Sequence, residues 1–167
     1  MIYYLAYGSN MAESRLQQRI GSAVKIGLVH LPGHRLTFAN ASTKDGSAKC
    51  NALFTDEPNH RVIAVLYRMS AAEKPLLDQF EGLGVEYRDA FIPIRLPDGN
   101  SAEALIYYAT NLNPDLRPYH WYKEHVLRGA AENRLPEDYT ASIRAVESID
   151  DPDPERPARE LAIYAKP

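Results

Sequence analysis

Apolar residues recur along this chain at two periods, and the changes between them mark out strands and helices. Ile2 to Tyr7 is a continuous run of β-branched and aromatic residues, the pattern of a strand buried on both faces. Gly8-Ser9-Asn10 should end it. Glycine permits a positive φ and close approach of a ligand, and Ser9 and Asn10 suit the N-cap of a helix carrying Met11, Arg15, Leu16 and Arg19. Residues 23–31 and 36–40 read as strands joined across the turn signal Pro32-Gly33-His34. The polar segment 41–49 reads as a mobile loop. Residues 51–55 and 61–69 then pair as a hairpin across 56–60, and Arg61 to Tyr67, the strongest strand signal in the chain, runs through the middle of the sheet.

The second half alternates in the same way. Ser70 caps a helix, Glu73 completes a capping box, and Leu76, Leu77 and Phe80 form the apolar stripe. The helix stops at Glu81-Gly82. Residues 87–96 and 102–110 form a hairpin across Pro97-Asp98-Gly99-Asn100, in which Asp-Gly is a preferred turn pair. After a proline-containing connection, Tyr119, Tyr122, Val126, Leu127 and Ala130 recur at helical spacing, and Pro136 opens a further helix through Tyr139, Ile143 and Val146. Residues 150–157, acidic and proline-rich, read as an exposed linker, and Leu161 to Tyr164 as a last edge strand or a tail docked on a neighbour. Short hairpins with helices between them predict an α+β fold: a strongly curved or closed, barrel-like mixed sheet with flanking helices. One domain is expected over residues 1–149, with residues 150–167 as a tail.

Composition narrows the classes of function. With 167 residues and 45% hydrophobic content, the chain can bury one real core. Its net charge of −3 comes without a block of like charges, so neither nucleic acid nor an anionic membrane is an expected partner. No apolar stretch of membrane-spanning length and no cleavable leader pattern occur. The single cysteine, Cys50, excludes an intrachain disulfide, which fits a reducing cytoplasm, and its place at a strand start suits a small buried residue better than a nucleophile.

Few residue patterns carry chemistry. His30, His34, His60, His120 and His125 show no metal-ligand spacing, so no metal is expected. A G-x-S-x-G elbow is absent, and Ser9 lacks an obvious histidine and aspartate. Tyr7-Gly8-Ser9-Asn10, between strand and helix, leaves several backbone N–H groups pointing one way. That makes either an anion cradle or an ordinary strand-to-helix connection. It does not match the glycine patterns of nucleotide-binding loops. Glu81 stands in the last turn of its helix, where the partial negative charge disfavours a carboxylate. With partial burial its pKa would rise until it exchanged protons near neutrality; the other reading is a solvated surface residue.

Four segments together carry a resemblance. Tyr7-Gly8-Ser9-Asn10-Met11 after an N-terminal strand, and Leu77-Asp78-Gln79-Phe80-Glu81-Gly82 followed by Tyr87, resemble the γ-glutamylcyclotransferase family. Tyr122-Lys123 through Gly129-Ala130-Ala131-Glu132-Asn133-Arg134-Leu135-Pro136 to Tyr139 is similar to the C-terminal part of the members acting on γ-glutamyl amino acids, and Leu36 to Ser42 resembles an early strand of that family with its asparagine. The match runs over about residues 2–146 and leaves out the tail after Asp150. Relatives opening Tyr-Gly-Thr-Leu, which act on γ-glutamylamines, or Tyr-Gly-Ser-Leu, which act on glutathione, are less similar.

The resemblance implies conversion of a γ-glutamyl amino acid to 5-oxoproline and a free amino acid, without a cofactor. The substrate's own α-amine attacks its γ-carbonyl, so the enzyme supplies a base, a cradle and a bent substrate. By resemblance the base is Glu81. The N–H groups of Gly8, Ser9 and Asn10 would meet either the developing oxyanion or the α-carboxylate. Tyr87 and Tyr122 would line the site, their hydroxyls on Glu81 or substrate, with core packing as the alternative. Asn40 would bond a ligand amide or close a turn. The implied partner is a small γ-glutamyl substrate, bound by a monomer or homodimer. Two other readings remain open at this point: a related cyclotransferase acting on a γ-glutamylamine or a biosynthetic intermediate, and a binding module without turnover.

Overall fold

The apolar run near the N-terminus becomes β1 (Ile2–Ala6), the central strand of a five-stranded mixed sheet in a computed structural model that describes residues 1–165. The sheet order is β2 (Val24–Pro32), β5 (Arg61–Met69), β1, β7 (Ser101–Ala109), β6 (Tyr87–Arg95). β1 runs antiparallel to β5 from Ile2↔Met69 to Ala6↔Val65 and parallel to β7 at Tyr3↔Ala104 and Tyr4↔Leu105. Flanked on both edges, it buries Tyr4, Leu5, Ala6 and Tyr7. β5 is interior as expected, one place from the centre, and β6 and β7 form the expected hairpin, from Tyr87↔Ala109 to Arg95↔Ser101.

Strand partners differ from the sequence expectation in one respect. β4 (Ala48–Phe54) does not pair with β5 but with β3 (His34–Ala41), as a separate two-stranded ribbon with Leu36 opposite Ala52 and Phe38 opposite Cys50. Residues 56–60 therefore carry the chain between sheets. The ribbon is fastened to the main sheet by its asparagines: Asn51 Oδ1 accepts from the Ala109 N–H at 3.0 Å and Asn40 Oδ1 from the Asn111 N–H at 3.3 Å. Residues 42–47 are tied down, not a free loop. Glu86 Oε1 accepts from the Thr43 N–H and hydroxyl, both at 2.7 Å, and the Tyr119 hydroxyl donates to the Asp45 carbonyl at 2.9 Å.

The sheet curves strongly but does not close. Its edges, β2 and β6, face each other across a groove lined by residues 28–32 and 93–97 without joining in the hydrogen-bonded order. Pro93 sits on the β6 edge, where a missing N–H is tolerated. The barrel expectation is thus corrected to a curved, open mixed sheet plus a ribbon.

Helices cover the sheet's faces. α1 (Glu13–Arg19) follows the β1 loop, and α2 (Lys74–Glu81) is preceded by a 3-10 turn capped by Ser70, whose Oγ accepts from the Ala72 N–H. The expected capping box is absent: Glu73 accepts from Ser22, whose Oγ takes the Ser70 N–H at 2.8 Å. Of the expected stripe only Leu77 is buried, with Leu76 41% and Phe80 37% exposed. α3 (His120–Glu132) buries Trp121, Tyr122, His125, Val126, Gly129 and Ala130, a wider face than the apolar spacing shows. α4 (Glu137–Arg144) buries Tyr139 and Ile143.

The tail is neither an exposed linker nor an edge strand. It forms α5 (Arg156–Leu161) and a 3-10 turn, Ala162–Tyr164; residues 166 and 167 lie outside the described residues. Trp121 Nε1 donates to Asp151 Oδ2 at 2.7 Å, Arg15 pairs with Glu160 at 2.9 Å, and His125 Nδ1 bonds the Tyr164 hydroxyl at 2.6 Å. The acidic residues that suggested a solvated linker have internal partners: Arg156 pairs with Asp151, whose side chain is fully buried, and with Asp153.

Candidate active site

Gly8, Ser9 and Asn10 leave β1 and enter a single 3-10 turn, Ser9–Met11, closed by the Met11 N–H on the Gly8 carbonyl at 3.0 Å. Gly8 has φ −116°, so its smallness serves close packing instead of a positive φ. A Cβ there would stand 3.0 Å from Cys50 Cβ and 3.3 Å from the Tyr122 hydroxyl. Ser9 and Asn10 do not cap α1; Ala12 holds that position. The N–H groups of Gly8, Ser9 and Asn10 donate to no acceptor among the described residues, which leaves three backbone donors at the end of β1. The turn is fixed from below. The Tyr67 hydroxyl and Asn133 Nδ2 donate to the Met11 carbonyl at 3.0 and 3.1 Å, and Gly129 of α3 packs against Met11.

Glu81 reaches the same place from the last turn of α2. Gly82, in the left-handed conformation with φ 67°, ends that helix, and the Leu83 N–H returns to the Asp78 carbonyl at 2.9 Å, the pattern of a Schellman stop. Asn10 Nδ2 donates to Glu81 Oε1 at 2.7 Å and to the Tyr4 hydroxyl at 3.1 Å, while Arg19 NH1 donates to Asn10 Oδ1 at 3.1 Å. Since arginine only donates, this contact fixes which way the Asn10 amide faces. The Glu81 carboxylate is enclosed by side chains although the residue is partly exposed along the cleft. Burial pushes its pKa up, and Arg19, Lys44, Arg15 and the Asn10 bond oppose that rise.

Tyrosines wall the space in front of Glu81. The Tyr87 hydroxyl donates to the Cys50 carbonyl at 2.6 Å and the Tyr122 hydroxyl accepts from the Cys50 N–H at 3.0 Å, so the two pin the backbone of one β4 residue on both its polar groups. The Tyr7 hydroxyl donates to the Tyr107 carbonyl, and the Tyr107 hydroxyl to Asp78 Oδ1 at 2.6 Å. Burial raises the pKa of Tyr7, Tyr87 and Tyr122 well above the usual phenol value, so all three stay neutral. Burial also pushes the Cys50 thiol up to about 12, which makes it an inert wall residue at neutral pH.

The enclosed space has two parts. An inner cavity of about 30 Å³ is lined by the Gly8 to Asn10 turn, Glu81, Cys50 and the tyrosines. An outer one of about 230 Å³ opens from it, lined among others by Arg15, Arg19, Lys44, Lys49, Arg156 and Glu160. Ser9, Glu81, Tyr87 and Tyr122 border both. The arrangement places a carboxylate of raised pKa and three residues with unpaired backbone N–H groups on the wall of one small, tyrosine-lined space. Such a site can move a proton and hold an anion or oxyanion without a nucleophile of its own.

Known proteins are similar to this chain in sequence and in fold. The γ-glutamylcyclotransferase of Mus musculus is 31% identical over 148 residues, covering 86% of this chain and 78% of the mouse protein. The chain belongs to the γ-glutamylcyclotransferase family. The Bos taurus γ-glutamylcyclotransferase is 28% identical over 150 residues, covering 88% of this chain and 79% of its own length. The AIG2-like family model matches residues 61–143. A solved γ-glutamyl cyclotransferase superposes with a TM-score of 0.83 at 24% identity, covering 96% of this chain and 98% of its own, and so agrees in fold.

In this γ-glutamylcyclotransferase family enzyme, Tyr7, Gly8, Ser9, Asn10, Glu81, Tyr87 and Tyr122 line one cavity. The hydroxyls of Tyr87 and Tyr122 are on the Cys50 peptide and not on Glu81. Asn40 is fully buried in β3, holds the Asn111 N–H and does not line the cavity. Tyr4, Tyr107, Arg19 and Lys44 are the additions sequence reading missed. Tyr4 and Tyr107 are adjacent in the fold because β1 and β7 pair in parallel, a long-range fact with no local signal. Among the described residues no group of three or more metal-ligating side chains occurs, and no helix is long and apolar enough to cross a membrane.

Proposed function

We propose that the protein converts γ-glutamyl amino acids to 5-oxoproline and a free amino acid, with Glu81 as the general acid and base. The observation that carries this reading is Glu81 itself: a carboxylate raised in pKa by burial, oriented by Asn10, and bordering both the inner and the outer cavity. The relatives' shared name supports the reaction class.

Each step follows from the chemistry available. Glu81 takes a proton from the substrate's α-ammonium, and the freed amine forms a C–N bond to the γ-carbonyl carbon. As the original amide C–N bond breaks, Glu81 returns its proton to the departing nitrogen, the ring nitrogen sheds its second proton on becoming the lactam N–H, and the released amine takes up a proton as an ammonium. The Gly8, Ser9 and Asn10 N–H groups hold either the oxyanion or the α-carboxylate. Tyr7, Tyr87 and Tyr122 form the apolar and hydroxyl-bearing wall that holds the folded substrate, and positioning of this kind contributes on the order of 7–11 kcal/mol in well-oriented intramolecular reactions.

The test is release of 5-oxoproline from a panel of γ-glutamyl amino acids by wild type and Glu81→Gln. The expected result is turnover by wild type and a loss of about 10²–10⁴-fold in the variant, the usual contribution of a positioned proton-transfer group. Undiminished turnover by Glu81→Gln would remove the assignment.

A further inference from the structure

Two cations on the outer cavity have no carboxylate partner. Among the residues lining it, Arg15 pairs with Glu160, Lys49 with Asp45, and Arg156 with Asp151 and Asp153. Arg19 and Lys44 differ: among the described residues neither forms an ion pair. Arg19 NH1 donates only to the Asn10 amide oxygen, and its guanidinium lies 5.0 Å from the centre of the Phe80 ring. Lys44 Nζ donates to the Phe80 carbonyl at 2.6 Å. Both line the same cavity, on either side of Phe80 and next to Glu81.

Resting on the proposed reaction, we infer that Arg19 and Lys44 form the subsite for the carboxylate of the departing amino acid. Space decides which part of the substrate lies there. The inner cavity is small and has no cationic side chain on its wall, whereas the outer one is several times larger. The ring that forms must close at Glu81, where the two cavities meet. The departing residue is the part that varies in size and leaves to solvent, so it occupies the outer space. Its carboxylate then meets two cations that feel the charge of Glu81 but make no direct ion pair with it or with any other carboxylate among the described residues, and arginine's planar fork suits a carboxylate. The subsite makes the enzyme select amino acids over plain amines as leaving groups.

The test compares γ-glutamyl-alanine with γ-glutamyl-alaninamide, which differ only in that carboxylate. Wild type should prefer the acid by about 10- to 100-fold in kcat/KM, the scale of charge-assisted hydrogen bonds. In Arg19→Ala and, separately, Lys44→Ala this preference ratio should fall toward one, with Arg19→Lys between. The ratio matters because Arg19 also bonds Asn10 and faces Glu81, so an indirect effect on the base lowers both substrates together. Lys44 has no bond to Asn10 and serves as the independent probe should Arg19→Ala fold poorly. An unchanged ratio in both variants, or no acid preference in wild type, overturns the subsite and leaves the reaction standing. No 5-oxoproline from either substrate with wild type overturns the reaction and the subsite together.

Discussion

Gly129 of α3 and Met11 of the β1 loop are in backbone contact: a Cβ on Gly129 would come within 2.5 Å of Met11 Cβ and 2.7 Å of the Ala12 nitrogen. The close approach lets Asn133, one turn further on, reach the Met11 carbonyl. The position of the three N–H donors above it thus depends on a missing methyl group in a helix far away in sequence.

Gly129→Ala is therefore expected to do two things. Overpacking against backbone should cost about 1–3 kcal/mol of stability or more. The displaced loop should also lower turnover on the order of 100-fold, as misplacement of about 1 Å does. Thermal melting and 5-oxoproline release measure the two effects. A variant with wild-type turnover would show that the α3 contact does not set the loop.

Glu81 predicts a pH profile. Its folded pKa is raised by burial above the ordinary 4.5, and the proposed mechanism requires the ionised form. The acid limb of kcat/KM should lie above pH 4.5, with activity rising as pH passes through the raised pKa. The same shift has a stability sign. A raised carboxylate pKa stabilises the fold below the unfolded value and that contribution is lost as pH rises, so at pH 7 the ionised group is a liability. Glu81→Gln should melt at or above the wild-type temperature at pH 7 while remaining inactive. A marked fall in melting temperature would mean that the carboxylate holds the fold.

Tyr122 tests the wall. Its hydroxyl accepts the buried Cys50 N–H at 3.0 Å, so Tyr122→Phe leaves that donor without a partner. The expected loss is about 1–3 kcal/mol of stability. Because Cys50 lines the inner cavity, a higher KM for γ-glutamyl substrates should accompany it. A stable variant with unchanged KM would reduce Tyr122 to ordinary packing.

Local pattern and long-range pairing separate what the sequence made legible. β1, the β6–β7 hairpin, α3, α4 and the Glu81-Gly82 stop were readable because alternation, helical spacing and glycine act within a few residues. The partner of β4 was not, since its alternation suits β3 and β5 equally and only the fold chooses between them. The tail misled for a similar reason: Asp151 looks solvated until Trp121, thirty residues earlier, donates to it. At the site, the motif residues line one cavity, yet the Tyr87 and Tyr122 hydroxyls go to the backbone of Cys50 in β4, whose position no motif encodes. Arg19 reads only as one of the residues carried by the first helix, and Lys44 as part of a mobile loop. Their role depends on both meeting Phe80.

The tail's attachment predicts an acid response. Arg15 NH1 donates to His125 Nε2 at 2.9 Å and to Glu160 at 2.9 Å, and His125 Nδ1 bonds the Tyr164 hydroxyl. Because arginine cannot accept, Nε2 is the acceptor and His125 is neutral, with its proton on Nδ1. Burial lowers His125 from 6.5 to about 4, and the hydrogen bond and charge of Arg15 hold Glu160 below the ordinary carboxylate value, to about 2. Both groups have depressed pKa values in the folded state. Their contributions are therefore complete above the unfolded values and are lost on acidification, His125 between about pH 6.5 and 4 and Glu160 between about 4.5 and 2. His125→Gln removes the first titration. It should melt lower at pH 7, because it loses the Arg15 and Tyr164 contacts, but its melting temperature should fall less steeply than wild type from pH 6.5 to 4. The other four histidines and all the carboxylates are common to both proteins, so the difference in slope isolates this residue. Parallel melting curves across that window would show that His125 does not couple the tail to pH.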